Sequence, residues 1–199
     1  MAADNQEARN KRMVDLRLRN MDVIRVELGA GRPREGWTTI DMRNADICID
    51  LGADPIPFPD NSVDYIYSSH VLEHFTFPEP LRAVLAESFR CLKPGGVFDA
   101  CVPNARPYIE AYCARAPFPY PPDKLHMPAV VSHTNGHIDV INYIAYQGGG
   151  HRYMFDEENL VNILKRAGFA DVHLRPFNPE LDHAWREMES ICAVALKPE

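Results

Sequence analysis

The residues best suited to hold a ligand lie in the stretch VELGAGRPREGWTTIDM (26–42). An apolar segment leads into the turn Gly29-Ala30-Gly31, whose glycines let the backbone approach a ligand closely. A similar turn in dinucleotide-binding proteins opens a helix, and an acidic side chain for the ribose follows about 20 residues later. Here Asp41 comes ten residues after the second glycine. The stretch therefore predicts a site for a nucleotide-like ligand, built on a shortened connection.

Histidines form a second group of chemically suited side chains. His70 and His74 stand four residues apart in SSHVLEH (68–74), and His151 follows the glycine triplet 148–150. Imidazole is the side chain that most readily gives or takes a proton near neutral pH. His151, and after it His70, are therefore the candidate general bases. The alternatives are a capping or packing role for His151 and a ligand-lining role for His70.

The elements that must position these residues follow from hydrophobic periodicity. Strand patterns alternate with helical ones along most of the chain. The predicted strands are 23–28, 38–41, 46–51, 63–68, 97–102, 171–177 and 190–197, and the predicted helices are 5–20, 78–92 and 156–167. This alternation favours a largely parallel sheet, in which ligands lie at the carboxyl ends of the strands. The glycine turn, Asp41, Asp50 and Ser69 each follow a strand, so they are expected to meet at that edge.

Six motifs stand in order along the chain. They are ELGAG (27–31), Asp41 at the end of the second strand, Asp50-Leu51 after the third, IPFPDNSVD (56–64), SSHVLEH (68–74) and LKPGG (92–96). Together they resemble the class I S-adenosylmethionine-dependent methyltransferases, of the small-molecule, methyltransferase type 11-like branch with a shortened N-terminal half. The resemblance covers 23–102 and 151–197. It implies an α/β, Rossmann-like sheet, mostly parallel with an antiparallel closing strand. The length of 199 residues separately predicts a single domain over 1–199.

The resemblance also implies which residues bind S-adenosylmethionine. By this likeness Glu27 lies near the methionine amino group, Asp41 accepts the ribose hydroxyls and Asp50 accepts the adenine amine. Two structural alternatives stay open: Glu27 as a strand-end charge, and Asp50 as the cap of a turn before Gly52. The full expected cofactor site is Glu27, Gly29, Ala30, Gly31, Asp41, Met42, Asp50, Leu51, Ser69, His70 and His74.

Two connections are too short for the helices that this fold usually carries. Only 29–37 join the first and second strands, and only 43–45 join the second and third, whereas a parallel crossover usually needs about a dozen residues or more. Both helices of that flank are therefore predicted to be missing. A parallel sheet needs cover on both faces. The N-terminal helix (1–22), the segment 103–150 or a second copy in a homodimer is expected to supply it.

The segment 103–150 is expected to be an irregular lid over a small-molecule acceptor, because it has no counterpart in the core pattern. It is rich in aromatic residues and histidines: Tyr108, Tyr112, Tyr120, His126, His133, His137, Tyr143 and Tyr146. The spacing of His133 and His137 would suit a metal on a helix, but Asn135-Gly136 indicates a turn, so no metal site is predicted. SSHV replaces the Asn/Asp-Pro-Pro-aromatic signature of amino-methyltransferases. This disfavours nucleobase and protein amide acceptors and slightly favours O-methylation over N- or C-methylation.

Composition and charge exclude several other classes of function. The net charge of −7 argues against a nucleic-acid partner. Five cysteines without a C-x-x-C pair indicate neither a disulfide framework nor a zinc site. The polar N-terminus lacks a signal-peptide pattern and no apolar run approaches about 18 residues, so a cytoplasmic protein without a membrane segment is expected. The rival functions are a non-catalytic cofactor-binding homologue serving as a partner or regulatory subunit and, less well matched by the motif spacing, an NAD-linked oxidoreductase.

Overall fold

The computed structural model describes residues 2–120, 122–125, 134 and 136–199. These residues form one seven-stranded sheet with helices packed around it. The strands are β1 Arg25–Leu28, β2 Thr38–Asp41, β3 Ile47–Cys48, β4 Val63–Ser69, β5 Leu92–Pro103, β6 Ala170–Arg175 and β7 Ser190–Leu196. The helices are α1 Ala2–Asn20, α2 Leu81–Cys91, α3 Arg106–Ala114, α4 Ile138–Tyr146 and α5 Glu157–Arg166, and short 3-10 turns lie at Leu72–His74, Pro122–Lys124, Gln147–Gly149 and Ala184–Glu189.

The strand order is β3-β2-β1-β4-β5-β7-β6, which confirms the predicted Rossmann-like sheet. The first five strands are parallel to one another, and β7 runs antiparallel to both β5 and β6. The carboxyl ends of β1, β2, β3 and β4 therefore lie along one edge. This edge carries the glycine turn and the acidic residues that the sequence singled out.

The main core lies between the sheet and helices α2 and α5. On α2, Leu81, Val84 and Leu85 are buried at the three- and four-residue steps that the sequence showed. Helix α5 begins at a capping box. The Asp156 side chain accepts a hydrogen bond from Asn159 N, and the Asn159 side chain accepts one from Asp156 N. Across the described residues, no helix combines the length and apolarity that crossing a bilayer requires.

The first half of the sheet has the predicted short connections. Residues 29–37 and 42–46 contain turns and bends but no helix, so both helices of that flank are missing. Strand β3 is only two residues long, although the sequence pattern predicted a strand over 46–51. Its shortness follows from the connection before it, which leaves too few residues for a longer parallel register.

Helix α1 covers the open edge beside β3. The Asn10 side chain is buried, and its amide nitrogen donates to Cys48 O at 2.9 Å while its oxygen accepts from Cys48 N at 3.2 Å. Arg17 adds a contact of 3.5 Å to Asp46, and Val14 is buried against the core. One side-chain amide thus satisfies the backbone groups that an edge strand leaves open. The N-terminal helix therefore supplies part of the predicted cover.

The expectation of an irregular segment over 103–150 is wrong for its described part, which contains α3 and α4. The two helices pack on each other around Tyr108, Val140 and Tyr143. The sequence reading missed them because the inward positions are few and largely aromatic, whereas prolines and glycines dominate the surroundings. His126, His133 and Asn135 lie outside the described residues.

The structure also corrects the expectation about cysteines. Cys101 on β5 stands opposite Cys192 on β7, and the two form a disulfide. They are 91 residues apart in the chain, so no local spacing indicated the pair. The antiparallel register of two neighbouring strands, β5 and β7, brings the two cysteines together. Cys48, Cys91 and Cys113 are free thiols.

Candidate cofactor and acceptor site

The glycine turn after β1 is shaped by close contacts on both sides. Gly29 has a φ of 68° and donates from its nitrogen to Ile40 O at 2.7 Å. A Cβ at this position would lie 2.2 Å from Cγ2 of Val71, which no real structure tolerates. Gly31 also has a positive φ, 63°, but more open surroundings. The first glycine is therefore required by both conformation and space.

Asp41 organises the turn through its carboxylate. One oxygen accepts from Gly31 N at 2.9 Å and the other from Met42 N at 2.5 Å. A carboxylate offers about four acceptor positions, so two stay open for ligand hydroxyls. This pairing places the acid that follows β2 directly against the glycine turn, as the sequence predicted.

A cavity of about 360 Å³ lies at this sheet edge and brings together much of the predicted cofactor site. It is lined by Gly29, Asp41, Met42, Ile49, Asp50, Leu51, His70, Val71, His74, Phe75 and Arg186. The lining combines apolar side chains with two carboxylates, two imidazoles and a guanidinium. Asp50 also caps its own turn by accepting from Gly52 N at 2.9 Å, so its structural alternative is realised alongside its place in the cavity wall.

Glu27 and Ala30 line a neighbouring cavity of about 370 Å³ rather than the first one. The Glu27 carboxylate contacts Arg34 at 3.1 Å and His183 at 3.8 Å. Arg34 stacks over the Trp37 ring at 4.9 Å. Burial and the nearby Arg186 lower the pKa of His183 below its usual range. In this cavity the buried carboxylate of Glu27 and the guanidinium of Arg34 therefore lie side by side, and Arg32 and the buried Asp182 side chain belong to the same lining.

The histidines of the sequence analysis meet around Glu73. His70 Nδ1, His74 Nε2 and His151 Nε2 lie 3.8, 3.9 and 4.0 Å from Glu73 Oε1. Glu73 is 1% exposed, and burial raises the pKa of its carboxyl to about 8. The nearby Arg186 guanidinium acts in the opposite direction. The motif SSHVLEH thus contributes two imidazoles and one buried acid. The acid, Glu73, is a residue that the sequence did not single out.

A pocket of about 100 Å³ adjoins the first cavity. Its lining residues are His70, Glu73, His74, Gln147, Trp185, Arg186 and Glu189, three of which also line the larger cavity. His151 lines neither space: it is 2% exposed, and its Nδ1 donates to Ile144 O at 3.0 Å. The packing alternative for His151 is therefore realised in the structure.

Sequence reasoning missed the residues that reach this pocket from the chain's last third. Arg186 donates to Ser69 O at 2.6 Å and to Ser69 Oγ at 3.0 Å, so Ser69 contacts a lining residue of both spaces although it lines neither itself. Glu189 accepts from the hydroxyls of Tyr108 and Tyr143. No motif marks 185–189. The only signal was an Arg and two acids directly before a strand, a pattern too common to interpret.

A group of metal-ligand types also occurs at Cys101, Asp182 and Cys192. The two sulfurs are joined in the disulfide. Arg175 Nη2 lies 2.7 Å from Asp182 Oδ1 and 3.3 Å from Cys101 Sγ. A guanidinium already neutralises this carboxylate, so a cation is disfavoured there.

Comparison with known proteins identifies the family of this chain. A family profile described as "Methyltransferase domain" matches residues 13–174. The chain belongs to this methyltransferase family. Its sheet and helices are those of the class I S-adenosylmethionine-dependent methyltransferases, and S-adenosylmethionine is the cofactor of that class.

Individual relatives agree at the level of the fold. A demethylmenaquinone methyltransferase from Listeria monocytogenes serotype 4a is 38% identical over 79 residues, which are 40% of this chain and 31% of that protein. The chain thus matches less than a third of the length of this relative. A SAM-dependent methyltransferase from Archaeoglobus fulgidus superposes with a TM-score of 0.52 at 19% identity, covering 94% of each chain. Phosphoethanolamine N-methyltransferase 2 of Haemonchus contortus, solved with S-adenosyl-L-methionine, gives a TM-score of 0.53 at 14% identity over 95% of this chain and 52% of that one.

Proposed function

We propose that this protein transfers a methyl group from S-adenosylmethionine to a small-molecule acceptor, with an acceptor oxygen slightly favoured. The observation that carries this proposal is the junction of two spaces at the sheet edge. The cavity beside Gly29 and Asp41 adjoins a much smaller pocket, and His70, His74 and Arg186 line both. A cofactor in the first would present its methyl group toward an acceptor in the second.

The adenosine half of the cofactor is assigned to the 360 Å³ cavity. The open acceptor positions of Asp41 suit the ribose hydroxyls, because a carboxylate accepts two hydroxyl protons at once. Leu51, Met42 and Phe75 provide an apolar wall for the adenine ring, and Asp50 an acceptor for its amine. Ser69 contributes through Arg186 rather than by direct contact.

The methionine half is assigned to the cavity beside Glu27. Its ammonium and carboxylate groups match the carboxylate of Glu27 and the guanidinium of Arg34, which already lie 3.1 Å apart. Opposite charges in a partly buried setting interact more strongly than at an exposed surface. The methionine group would then exchange the contact between these two residues for contacts of its own.

Methyl transfer is an in-line displacement that depends mainly on positioning, with a base where the acceptor carries a proton. His70 is better placed for that role than His151, because His70 lines both spaces and His151 lines neither. The pocket of about 100 Å³ supports an acceptor whose reacting part is small. Movement of the segment 103–150 as a lid stays a prediction.

Calorimetry with S-adenosylmethionine and S-adenosylhomocysteine tests the cofactor assignment. We expect binding by the wild type and a loss of about 10- to 100-fold in affinity for Asp41→Ala, since hydrogen bonds to charged groups contribute about 1.5–3 kcal/mol. Asp22→Ala removes an exposed carboxylate outside the site and serves as the control. Binding of NADH, with neither sulfur compound bound, would contradict the proposal.

A non-catalytic, cofactor-binding homologue is the second candidate function. The non-catalytic homologue and the enzyme would bind the cofactor with the same affinity in every variant, and only the enzyme would transfer a methyl group. Incubation with methyl-labelled cofactor and a panel of small hydroxyl, amine and carbon acceptors separates the two. Label transfer to any acceptor supports the enzyme, whereas intact binding without transfer across the panel supports the partner subunit.

The homodimer and the cytoplasmic location predicted from the sequence also stay predictions. Helix α1 covers the β3 edge, and Leu16 on α1 and Val23 before β1 keep exposed fractions of 45% and 48%. Light scattering at high micromolar concentration should give the mass of two chains; a monomer mass would reject the dimer. Disulfides are uncommon in the cytosol, so the redox state of Cys101 and Cys192 in cells bears directly on the location.

A further inference from the structure

Glu73 places a buried carboxylate in the wall of the small pocket. The residue is 1% exposed, and neither side-chain oxygen has a hydrogen-bond partner among the described residues. Its backbone is fixed, because Arg152 N and Tyr153 N donate to Glu73 O at 2.7 and 3.2 Å. Leaving a buried charged group without hydrogen bonds is costly. A carboxylate held in this way at the wall of a pocket indicates that a ligand completes it.

The same pocket contains a buried donor that is also unsatisfied. Arg186 Nη1 donates to Ser69 O and Ser69 Oγ, whereas Arg186 Nε is buried and has no hydrogen-bond partner in the described part of the chain. Burial raises the pKa of Glu73 to about 8 and lowers that of Arg186, and the charge of each side chain opposes the shift of the other. The two side chains are therefore electrostatically coupled, and together they offer one acceptor group and one donor group to a ligand.

A hydroxyl group matches this pair of side chains better than an amine does. A hydroxyl donates one hydrogen bond and also accepts at its oxygen, so it can donate to Glu73 while it accepts from Arg186 Nε. An ammonium group has three donors and no acceptor, and the Arg186 guanidinium would repel its charge. The pair therefore favours an acceptor oxygen, which agrees with the preference that the sequence indicated.

The base that takes the proton limits how weakly acidic the hydroxyl can be. With a pKa of about 8, Glu73 lies about two units below a phenol, whose pKa is about 10. An aliphatic alcohol is a far weaker acid, close to water at about 15.7. General base catalysis is most effective when the two groups are close in acidity. A phenol therefore suits this pocket better than an aliphatic alcohol.

We propose that Glu73 is the catalytic base and that the acceptor is a phenol whose hydroxyl binds between Glu73 and Arg186. This inference rests on the proposed function. In the reaction the phenol proton passes to a Glu73 oxygen while the phenol oxygen bonds to the methyl carbon of the cofactor. The carbon–sulfur bond breaks with its electron pair going to sulfur, so the products are an aryl methyl ether and S-adenosylhomocysteine. Arg186 stabilises the negative charge that develops on the phenol oxygen.

Glu73 takes the role considered above for His70, whose ring is held by a different bond. Ser190 Oγ donates its proton to Arg186 O at 2.6 Å, so it accepts from His70 Nε2 at 2.7 Å. This nitrogen of His70 already carries a proton and cannot take another. His70 Nδ1 lies 3.8 Å from Glu73 Oε1. We therefore treat His70 as a positioning residue in the wall of the pocket.

Further titratable side chains near Glu73 are His74, His151 and Glu189. His74 Nε2 and His151 Nε2 lie 3.9 and 4.0 Å from Glu73 Oε1, and Glu189 lines the same pocket. The His74 side chain is 47% exposed, and its Nδ1 donates to Gly150 O at 2.9 Å. A carbonyl oxygen only accepts, so the unprotonated nitrogen of neutral His74 is Nε2. This nitrogen can pass the proton from Glu73 to water after each turnover.

The first test is calorimetry on the full chain saturated with S-adenosylhomocysteine and titrated with phenol, benzyl alcohol or benzylamine between pH 7 and 9. We expect phenol to bind about 10-fold or more tightly than the other two probes. Its affinity should rise with pH, because the ionised Glu73 is the better acceptor for the hydroxyl proton. Glu73→Gln should lower the affinity for phenol about 10- to 100-fold and remove the pH dependence. Glu158→Gln, at an exposed carboxylate on α5, is the matched control and should behave as the wild type does.

Turnover of methyl-labelled S-adenosylmethionine with a panel of phenols measures the proton transfer itself. The wild type should methylate a phenol at a rate that rises as Glu73 ionises. Glu73→Gln should lower kcat by about 100-fold or more at unchanged cofactor affinity, because a general base contributes about 100- to 10,000-fold. Arg186→Lys keeps the positive charge without the Nε donor, so it should weaken phenol binding and retain the pH dependence. Circular dichroism on the same samples shows that the variants fold.

Several results would overturn this inference. They are tightest binding of benzylamine, equal binding of the three probes, absence of phenol binding, and phenol affinity unchanged in Glu73→Gln. Phenol binding without methyl transfer would overturn the role of Glu73 as the base. Cofactor calorimetry separates this inference from the proposed function. Methyl transfer to alcohols or amines but to no phenol overturns only the inference, whereas absence of cofactor binding overturns the proposed function.

Discussion

The two halves of the sheet are built in different ways. At the ends of β1 and β2 the glycine turn and Asp41 lie close in sequence, and hydrogen bonds to the backbone within short loops hold them, as between Gly31 N and the Asp41 carboxylate at 2.9 Å. Around β5, β6 and β7 the contacts join distant residues, such as Arg175 and Asp99 at 2.9 Å and His70 and Ser190 at 2.7 Å.

The difference explains how the fold tolerates the loss of two helices. A cofactor edge made of tight turns needs only that the strands end in register, so the connections can shrink to loops. The other half uses buried charges whose partners must all be present, because an unpaired buried charge is costly. Loops can be shortened on the first side, whereas on the second side single buried charged side chains contribute most to the free energy of unfolding.

The largest effect is expected from Gly29→Ala in the cofactor half. The new Cβ would lie 2.2 Å from Val71 Cγ2, so the turn must move and cofactor binding should be lost in calorimetry. Gly36→Ala is the matched control, since Gly36 also has a positive φ, 76°, but nothing within 4 Å of a new Cβ. Combining Gly29→Ala with Val71→Ala should recover part of the affinity. Unchanged binding by Gly29→Ala alone would refute the role assigned to this turn.

The next effect is expected in the second half, at Arg175. Its side chain is 12% exposed and bonds both Asp99 and Asp182, so Arg175→Ala leaves two buried carboxylates without their cation. We expect the free energy of unfolding in urea to fall by about 3–5 kcal/mol. Lys93→Ala, which breaks the more exposed contact to Asp64, should cost less than about 1 kcal/mol. Similar losses for the two variants would erase the contrast between buried and surface charges.

The disulfide between β5 and β7 should give a somewhat smaller change. Cys101→Ser with Cys192→Ser, or reduction of the wild type, should lower the free energy of unfolding by about 2–4 kcal/mol, because a long loop is closed in the unfolded chain. Cys113→Ser, at an exposed free thiol, is the control. A melting temperature that reductant leaves untouched would show that the bond contributes nothing.

The smallest effect is expected at the edge that α1 covers. Asn10→Ala removes both hydrogen bonds to Cys48 and should cost about 1–3 kcal/mol, with faster amide exchange in α1 and β3. Asn5→Ala, on the exposed side of the same helix, should change neither quantity. Equal exchange in the two variants would mean that apolar contacts alone hold α1 in place.

The contrast between local contacts and contacts of distant residues also decides which features the sequence could predict. The glycine turn, Asp41 and the missing helices were readable because each depends on neighbours within about a dozen residues. Cys101–Cys192, Arg186 and the surroundings of Glu73 were not, because each contact depends on how strands and turns far apart in the chain come together. Helices α3 and α4 were missed for a local reason: each offers only two turns of inward positions, too few for a clear period.

The Asn10 amide also limits how copies of this protein can assemble. By occupying the N–H and the C=O of Cys48, it ends the ladder at β3, so another chain finds no free backbone there to pair with. At the opposite end, among the residues that the structure describes, β6 pairs with β7 alone and carries the exposed Leu174. A second molecule could therefore add a strand to this sheet at the β6 edge but not at the β3 edge. A symmetric dimer formed by strand addition would have to pair β6 with β6.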